Sequence, residues 1–372
     1  MSTTTTADLV ALLEASGLAG RGGAAFSTAV KVRAAHEHGA ALIVNACDGE
    51  VGAVKDAHVV AHHLDALVQG ARLVTAGWRR RPVRFAAHRG SATAEALHRA
   101  GLDVLDVPDR YVSSEETSLI SLAGGGLARP MTKRRPFVTG GRDQTGRRVP
   151  ATVVLNAETV WRIAQVAEHG PAWFRSFGTP EEPGPRLVAL TGAVDRPGVL
   201  ETEAGTPLAD LLDAARPVRG WQHVVVGGLG GVLLAADDAR AVRWTGADLA
   251  RHGGSLGPGV VDVLDPGRCP LATVSSFLLY AAGETAGQCG PCMFGVPSVA
   301  EAWRRLVETP SRQGIDEVRA AAGLLPGRGA CRFPDAVGRF AASALRVLEP
   351  HLAAHASGSC PTGRSRDRVR HP

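Results

Sequence analysis

The stretch Ala40-Ala41-Leu42-Ile43-Val44-Asn45-Ala46-Cys47-Asp48-Gly49-Glu50 decides the fold class. An apolar, strand-like run over Ala40–Val44 gives way abruptly to an amide, a thiol and two carboxylates. Upstream, Ala7–Glu14 has the spacing of a short amphipathic helix. Downstream, Ala57–Ala76 carries helical periodicity, and Val83–His88 and Leu102–Val107 read as short strands around a helix at Thr93–Arg99. Alternation of this kind predicts an α/β domain with a mostly parallel sheet over residues 1–185. Polar groups beyond the carboxyl end of such a strand lie where ligands bind in open α/β sheets. Asn45, Asp48 and Glu50 are therefore the first candidate site residues.

The pattern changes at Arg186. Short β-rich runs at Arg186–Val194, Gly198–Val199 and His223–Leu234, with a helix at Pro207–Ala215, predict a small α+β module over 186–240. From Thr273 the periodicity is helical, over Thr273–Ala282, Pro297–Val307, Ile315–Leu324 and Asp335–His355. Each stretch has one apolar face, which predicts a C-terminal helical bundle within 241–356. The polar, basic tail 357–372 is expected to be disordered.

Composition narrows the function classes. A chain of 372 residues suits two or three domains, and 45% hydrophobic with 21% charged residues is ordinary globular usage. The 45 glycines and 23 prolines make it loop-rich without making it low-complexity. The net charge of +5 is no nucleic-acid signal: only Lys31, Lys55 and Lys133 are lysines, the arginines are scattered, and aromatics are 5%. Met1–Asp8 has no secretory pattern, and the longest apolar run, Leu271–Ala282, is too short to span a bilayer. Six unevenly spaced cysteines do not form a disulfide framework. The expected compartment is the cytoplasm, peripheral docking on the cytoplasmic face of a membrane included.

Four motifs carry chemistry. In Gly20-Arg21-Gly22-Gly23-Ala24-Ala25-Phe26-Ser27, glycines permit positive φ and let backbone N–H groups approach an anion. The spacing is not that of a dinucleotide-binding fingerprint, and an ordinary glycine turn reads equally well. Asn45–Gly52 offers an amide and carboxylates for a heterocycle edge or a ribose, or a solvated turn. Tyr111-Val112-Ser113-Ser114-Glu115-Glu116-Thr117 presents paired acids, which also fit a helix capping box. Cys289-Gly290-Pro291-Cys292, followed 39 residues later by Cys331, brings thiolates together for an iron–sulfur cluster or zinc. His58, His62 and His63 lack the glutamate of a zinc-hydrolase motif and read as a helix face.

In this order the motifs resemble the NADH-oxidising flavoprotein subunit of respiratory complex I and the related diaphorase subunits of NAD-linked hydrogenases and formate dehydrogenases. The resemblance runs from about Gly17 to His355. Gly20–Phe26 is similar to the family's glycine loop, Asn45–Asp56 to its Asn-Ala-Asp-Glu-Gly-Glu-Pro-Gly-x-x-Lys-Asp stretch, and Glu115-Glu116-Thr117 to Gly-Glu-Glu-Thr. Arg135-Pro136-Phe137 is similar to Pro-Pro-Phe, and Leu155-Asn156-Ala157-Glu158-Thr159 to Asn-Asn-x-Glu-Thr. The resemblance implies a β-grasp-like module at 186–240 and an iron–sulfur domain at 241–356. It implies FMN near Gly20, Gly22, Lys31, Asn45, Asp48, Tyr111, Glu115 and Asn156. NADH is expected against Phe26 and Phe137, placed by Glu50, Glu116 and Arg134, with Glu50 and Glu116 as the catalytic pair. The metal ligands implied are Cys289, Cys292 and Cys331.

Departures from the pattern are concentrated at the site. Cys47 stands for an aspartate, Asp48 for a glutamate, Ser114 and Ala25 for glycines, and Leu155 for an asparagine. The first cluster position is Ala286, so a [4Fe-4S] cluster needs a fourth ligand from Cys269, Cys360, a non-thiolate or a partner, and a [3Fe-4S] cluster is the alternative. The function implied is NADH oxidation on FMN, with electrons passed through the cluster to a separate iron–sulfur or ferredoxin-like acceptor protein or a quinone-linked complex. A catalytically silent subunit of the same fold and a zinc-stabilised binding protein are the competing readings.

Overall fold

The β1 strand (Ala41–Asn45) shows why a parallel sheet forms here. Leu42 and Val44 join one apolar cluster while Ile43 joins another on the opposite side. The β6 strand (Thr152–Asn156) repeats the arrangement, with Val153 and Leu155 in the first cluster and Val154 in the second. Strands buried on both faces need near-continuous apolar sequence and a covering layer on each side. The computed structural model describes residues 6–77, 82–357 and 360. The basic run Arg79–Arg81 and the tail from 358 onward, Cys360 excepted, lie outside the described residues.

The chain divides into two compact units. The first comprises the chain up to Gly49, Ala53–Val188 and Val199–Thr206; the second comprises Glu50–Gly52, Ala189–Gly198 and Pro207 onward.

The first unit opens with α1 (Thr6–Ser16) and α2 (Thr28–His38) before β1. Ser27 caps α2 by accepting from the Val30 N–H, and Gly39 ends it in the left-handed conformation. After β1 come α3 (Lys55–His62) and α4 (Leu64–Val74), a pair broken at His63 where the sequence reads as one helical stretch. Then follow β2 (Val83–His88), α5 (Ala92–Arg99), β3 (Val104–Val107) and α6 (Glu116–Ala123). A small hairpin, β4 (Gly141–Arg142) and β5 (Arg148–Val149), leads to β6 and to α7 (Ala157–Arg175), which kinks at Gly170. The sheet order is β3-β2-β1-β6, and every pair in it is parallel. Strands β1 to β3 build outward on one side, and β6 is added on the other. The direction of winding therefore reverses between β1 and β6.

The second unit holds most of β7 (Arg186–Gly192), which begins in the first unit; β8 (Gly198–Thr202) lies mainly in the first. Beyond them are α8 (Leu208–Ala215), β9 (His223–Val226), β10 (Val232–Ala235), α9 (Ala236–Ala241), α10 (Gly246–Arg251) and β11 (Val260–Val263). Five helices finish the described chain: α11 (Pro270–Gly283), α12 (Val296–Glu308), α13 (Arg312–Gly323), α14 (Phe333–Val347) and α15 (Glu349–Ala356). Strand β11 sits between β9 and β7, antiparallel to the first and parallel to the second. Only four residues long and preceded by a glycine-rich turn, it gives little sequence signal. Its insertion carries the β-rich part past residue 240, and Ser343 of α14 accepts the Leu233 N–H of β10 at 3.0 Å. The β-rich segment and the helices thus share one unit.

One polar knot lies under the β1–β6 edge. The Lys55 side chain is 1% exposed. Its ammonium is 3.0 Å from Asp56, 3.1 Å from Glu158 and 2.9 Å from the Asn156 side-chain Oδ1. Burial alone would lower the Lys55 pKa, but Asp56, then Glu158 and Asp48, outweigh it and hold the group charged. Asn156 donates to Asp56 at 2.7 Å, and Glu158 also accepts the Leu187 N–H at 2.7 Å. The fully buried Arg162 stands 3.7 Å from Glu158 and 2.5 Å from Glu201.

Lys55→Met leaves Asp56 and Glu158 buried without their shared countercharge and should cost about 3–5 kcal/mol in chemical denaturation. Lys133→Met, which opens a half-exposed pair, should cost below about 1 kcal/mol. Equal losses in the two variants would refute the role assigned to the knot. Ala25 holds φ +48, a left-handed conformation in which its Cβ is strained. Ala25→Gly should therefore gain about 1 kcal/mol, whereas the helical Ala29→Gly should lose about that much. A loss at both positions would show that no strain is stored at Ala25.

Candidate functional site

At the winding reversal, Asn45 and Asn156 are register partners at the carboxyl ends of adjacent parallel strands. A crevice at such a switch point is the usual ligand position of an open α/β sheet. The glycine loop lies against the same edge. Gly20 donates to the Phe26 carbonyl at 2.8 Å, and the Arg21 N–H donates to Thr159 at 2.8 Å. A Cβ on Gly22 would come within 3.3 Å of the Asn156 Cβ, so the backbone approaches β6 as closely as only glycine comfortably allows. Lys31, on the first turn of α2, donates to the Val154 carbonyl at 3.1 Å. Burial lowers its pKa, and neighbouring Glu116 opposes that shift. Glu116 in turn is 2.6 Å from Lys133.

The other candidates are held by local geometry. Asn45 donates to the Ser114 carbonyl at 3.0 Å and accepts the Cys47 N–H at 3.1 Å. Tyr111 opens the 3-10 turn Tyr111–Ser114, and Ser114 donates its hydroxyl to the Tyr111 carbonyl at 3.0 Å. Glu115 caps α6, accepting from Thr117 and Ser118; burial raises its pKa although these bonds oppose it. Asp48, at φ +47, accepts the Asp56 and Ala57 N–H groups at the start of α3. Burial, then Asp56, pushes its pKa up to about 7. Phe26 is 51% exposed and offers an open ring. Arg134 is exposed.

Phe137 and Glu50 have other partners in the structure. Phe137 is 4% exposed and belongs to the apolar cluster that includes Ile43, Cys47, Met131 and Val154. Glu50 belongs to the second unit, where its carboxylate accepts the N–H groups of Val51, Leu229 and Gly230 at 2.9, 2.7 and 3.3 Å. It anchors that turn. The departures in sequence have visible consequences. Cys47 and Leu155 are absorbed into apolar clusters, and burial holds the Cys47 thiol well above its ordinary pKa. Ser114 fills the space beside Gly49, where a Cβ would sit 1.9 Å from its hydroxyl. Lys55, Asp56 and Glu158 lie inside quoted motifs, yet sequence reasoning assigned them no role. Their signal was a lysine and two acids flanked by apolar positions.

For the cysteines, Cys292 is 2% exposed within the turn Pro291–Gly295, and Cys289 lies just before it. Burial, then contact with Cys289, raises the Cys292 pKa. Cys331 precedes α14, and the Ala286 side chain is buried and supplies no ligand. Cys269 and Cys360, considered as fourth ligands from sequence, gather instead with His351 and His355. Cys289 and Cys292 share one turn, but among the described residues these two and Cys331 do not gather as a group of three metal donors. The Gly22 cradle, the Lys31 cation and the paired amides suit a flavin phosphate and ring edge.

Comparison with known proteins agrees with this arrangement. The Nuo51 FMN-binding domain matches residues 13–165, and the NADH-ubiquinone oxidoreductase-F iron–sulfur binding region matches residues 272–355. The mitochondrial NADH dehydrogenase [ubiquinone] flavoprotein 1 of Dictyostelium discoideum is 28% identical, over 91% of this chain and 76% of its own length. An NADH-quinone oxidoreductase subunit of Mycobacterium tuberculosis is 28% identical, over 95% of this chain and 86% of its own. A chain of an NAD+-reducing [NiFe]-hydrogenase in the H2-reduced state superposes with a TM-score of 0.82 at 28% identity, covering 96% of this chain. This chain spans 63% of that hydrogenase chain. With both matched regions in the same order and an α/β fold shared with the hydrogenase chain, the protein carries a Nuo51-type FMN-binding domain and an oxidoreductase-F-type iron–sulfur binding region and is similar to complex I flavoprotein subunits along most of its length.

Proposed function

We propose that the protein oxidises NADH on a bound FMN and passes the electrons to a separate acceptor protein. The observation that carries this reading is the pairing of Asn45 with Asn156 at the sheet's switch point, with the Gly22 backbone pressed against the same strand end. When bound there, FMN supplies the means to accept a two-electron hydride and release electrons singly. Lys31 brings positive charge to this edge. Asn45 and Asn156 present amides that orient a ring edge, and Phe26 supplies an exposed face for stacking a nicotinamide. Glu116, held by Lys133, is the carboxylate that positions the dinucleotide. Over residues 186–240, β7 to β10 with α8 take the β-grasp-like role, and the helices from α11 on take the cluster-bearing role. Cys289, Cys292 and Cys331 are the cluster ligands in this reading. Among the described residues no helix is long and apolar enough to cross a membrane.

Ser114 beside Gly49 and the buried Phe137 favour one competitor, a subunit that keeps the fold without turnover. Anaerobic mixing separates the two. Full-length protein incubated with FMN should quench its fluorescence, NADH should bleach the bound flavin, and Lys31→Ala should weaken FMN binding about tenfold. Absence of quenching refutes the flavoprotein reading; bound flavin that stays oxidised with NADH and NADPH selects the silent subunit. For the cluster, Ala286→Cys restores a thiol at the vacant family position. After anaerobic reconstitution it should hold more iron and keep it longer in air than the parent protein. Unchanged iron content would remove residues 286–292 from the ligand set.

A further inference from the structure

The second unit contains a ligand constellation outside the cluster motif. Cys269 precedes α11 as its N-cap residue. His351 and His355 stand one turn apart on α15, and Cys360 follows that helix. One donor atom from each of these four residues lies within 4.8 Å of all the others, and no other such group of three or more occurs among the described residues. The Cys269 sulfur is 4.0 Å from His351 Nε2 and 3.5 Å from His355 Nε2. Around one tetrahedral zinc, with bonds of about 2.3 Å to sulfur and 2.0–2.1 Å to nitrogen, a sulfur and a nitrogen are separated by about 3.6 Å. His351 is 8% exposed, so at least one imidazole is withdrawn from water.

We propose that Cys269, His351, His355 and Cys360 form a structural site for a single divalent zinc-class ion. Two thiolates and two imidazoles in a tetrahedron are the donor set that zinc takes in structural sites, and a His-x-x-x-His pair on one helix is a common half of it. Binding displaces two thiol protons and leaves both imidazoles neutral, so the filled site carries no net charge. The ion ties the N-terminus of α11 to α15 and to the segment just beyond it, fixing the end of the helical region. The matched iron–sulfur region, residues 272–355, excludes both Cys269 and Cys360. The site is independent of the flavin proposal, and its loss should leave FMN binding unchanged.

The test uses the full chain, expressed with zinc and purified anaerobically without chelator. Elemental analysis should find about one zinc per chain at this site. Replacement by cobalt(II) should give the intense visible bands of a tetrahedral thiolate–imidazole site. Cys269→Ser and Cys360→Ser should each abolish those bands, whereas Cys289→Ser should leave them. Cys360 lies beyond α15, so far-UV circular dichroism of Cys360→Ser distinguishes ligand loss from unfolding. The proposal is overturned by a chain without zinc whose cobalt spectrum is octahedral, or by metal that follows Cys289 instead. A Cys269–Cys360 disulfide, or two irons with acid-labile sulfide on these four residues, overturns it as well.

Discussion

A fully buried ammonium with two buried carboxylates around it is the constraint on which the first unit depends. Lys55 begins α3, Asn156 ends β6, and Glu158 begins α7, so one charge fixes three chain segments relative to each other. Removing such ions from water costs several kcal/mol each, and their mutual attraction roughly offsets that cost when every donor and acceptor is matched. The return is positional. The amide of Asn156 is locked between Lys55 and Asp56, and that lock sets the strand end against which the glycine loop rests. Glu158 extends the constraint to Leu187 through its backbone N–H, and to Arg162.

Around this frame the differences from the family pattern have physical meaning. Ala25 keeps the left-handed backbone that a glycine would adopt freely. The loop shape has therefore been preserved at an energetic cost. Cys47 and Leu155 exchange polar side chains for apolar ones that extend the two clusters flanking the sheet. Ser114 instead narrows the space at Gly49. Backbone elements of the ligand cradle are thus retained while several polar side chains have been replaced by packing.

The candidate site was legible as short, ordered motifs, some of whose spacings the structure shows as close backbone approach, as at Gly22 against Asn156. The strand-end asparagines, the glycine loop and the Cys-x-x-Cys turn were all readable in that way. Phe137 and Glu50 show what a motif leaves open. An aromatic after a proline and a carboxylate after a glycine look the same in sequence whether they face a ligand, a core or a backbone turn. Only packing distinguishes them. The histidines make the same point in reverse. His58 and His62 share the four-residue spacing of His351 and His355, and His63 beside them stacks on Trp161 at 4.1 Å. Only the second pair meets two cysteines, one of them, Cys269, from a distant segment.

By itself the sequence determined the alternation of strands and helices, the parallel sheet and the order of the chemical motifs. These follow from local periodicity and turn chemistry, which are encoded within a few residues. Tertiary structure decided the rest: which charges are shared in the Lys55 knot, where β11 enters its sheet, and which cysteines meet which histidines. Each of these depends on groups far apart in the chain whose encounter no local pattern records. A buried charge or a four-donor cluster exists only when separate segments converge.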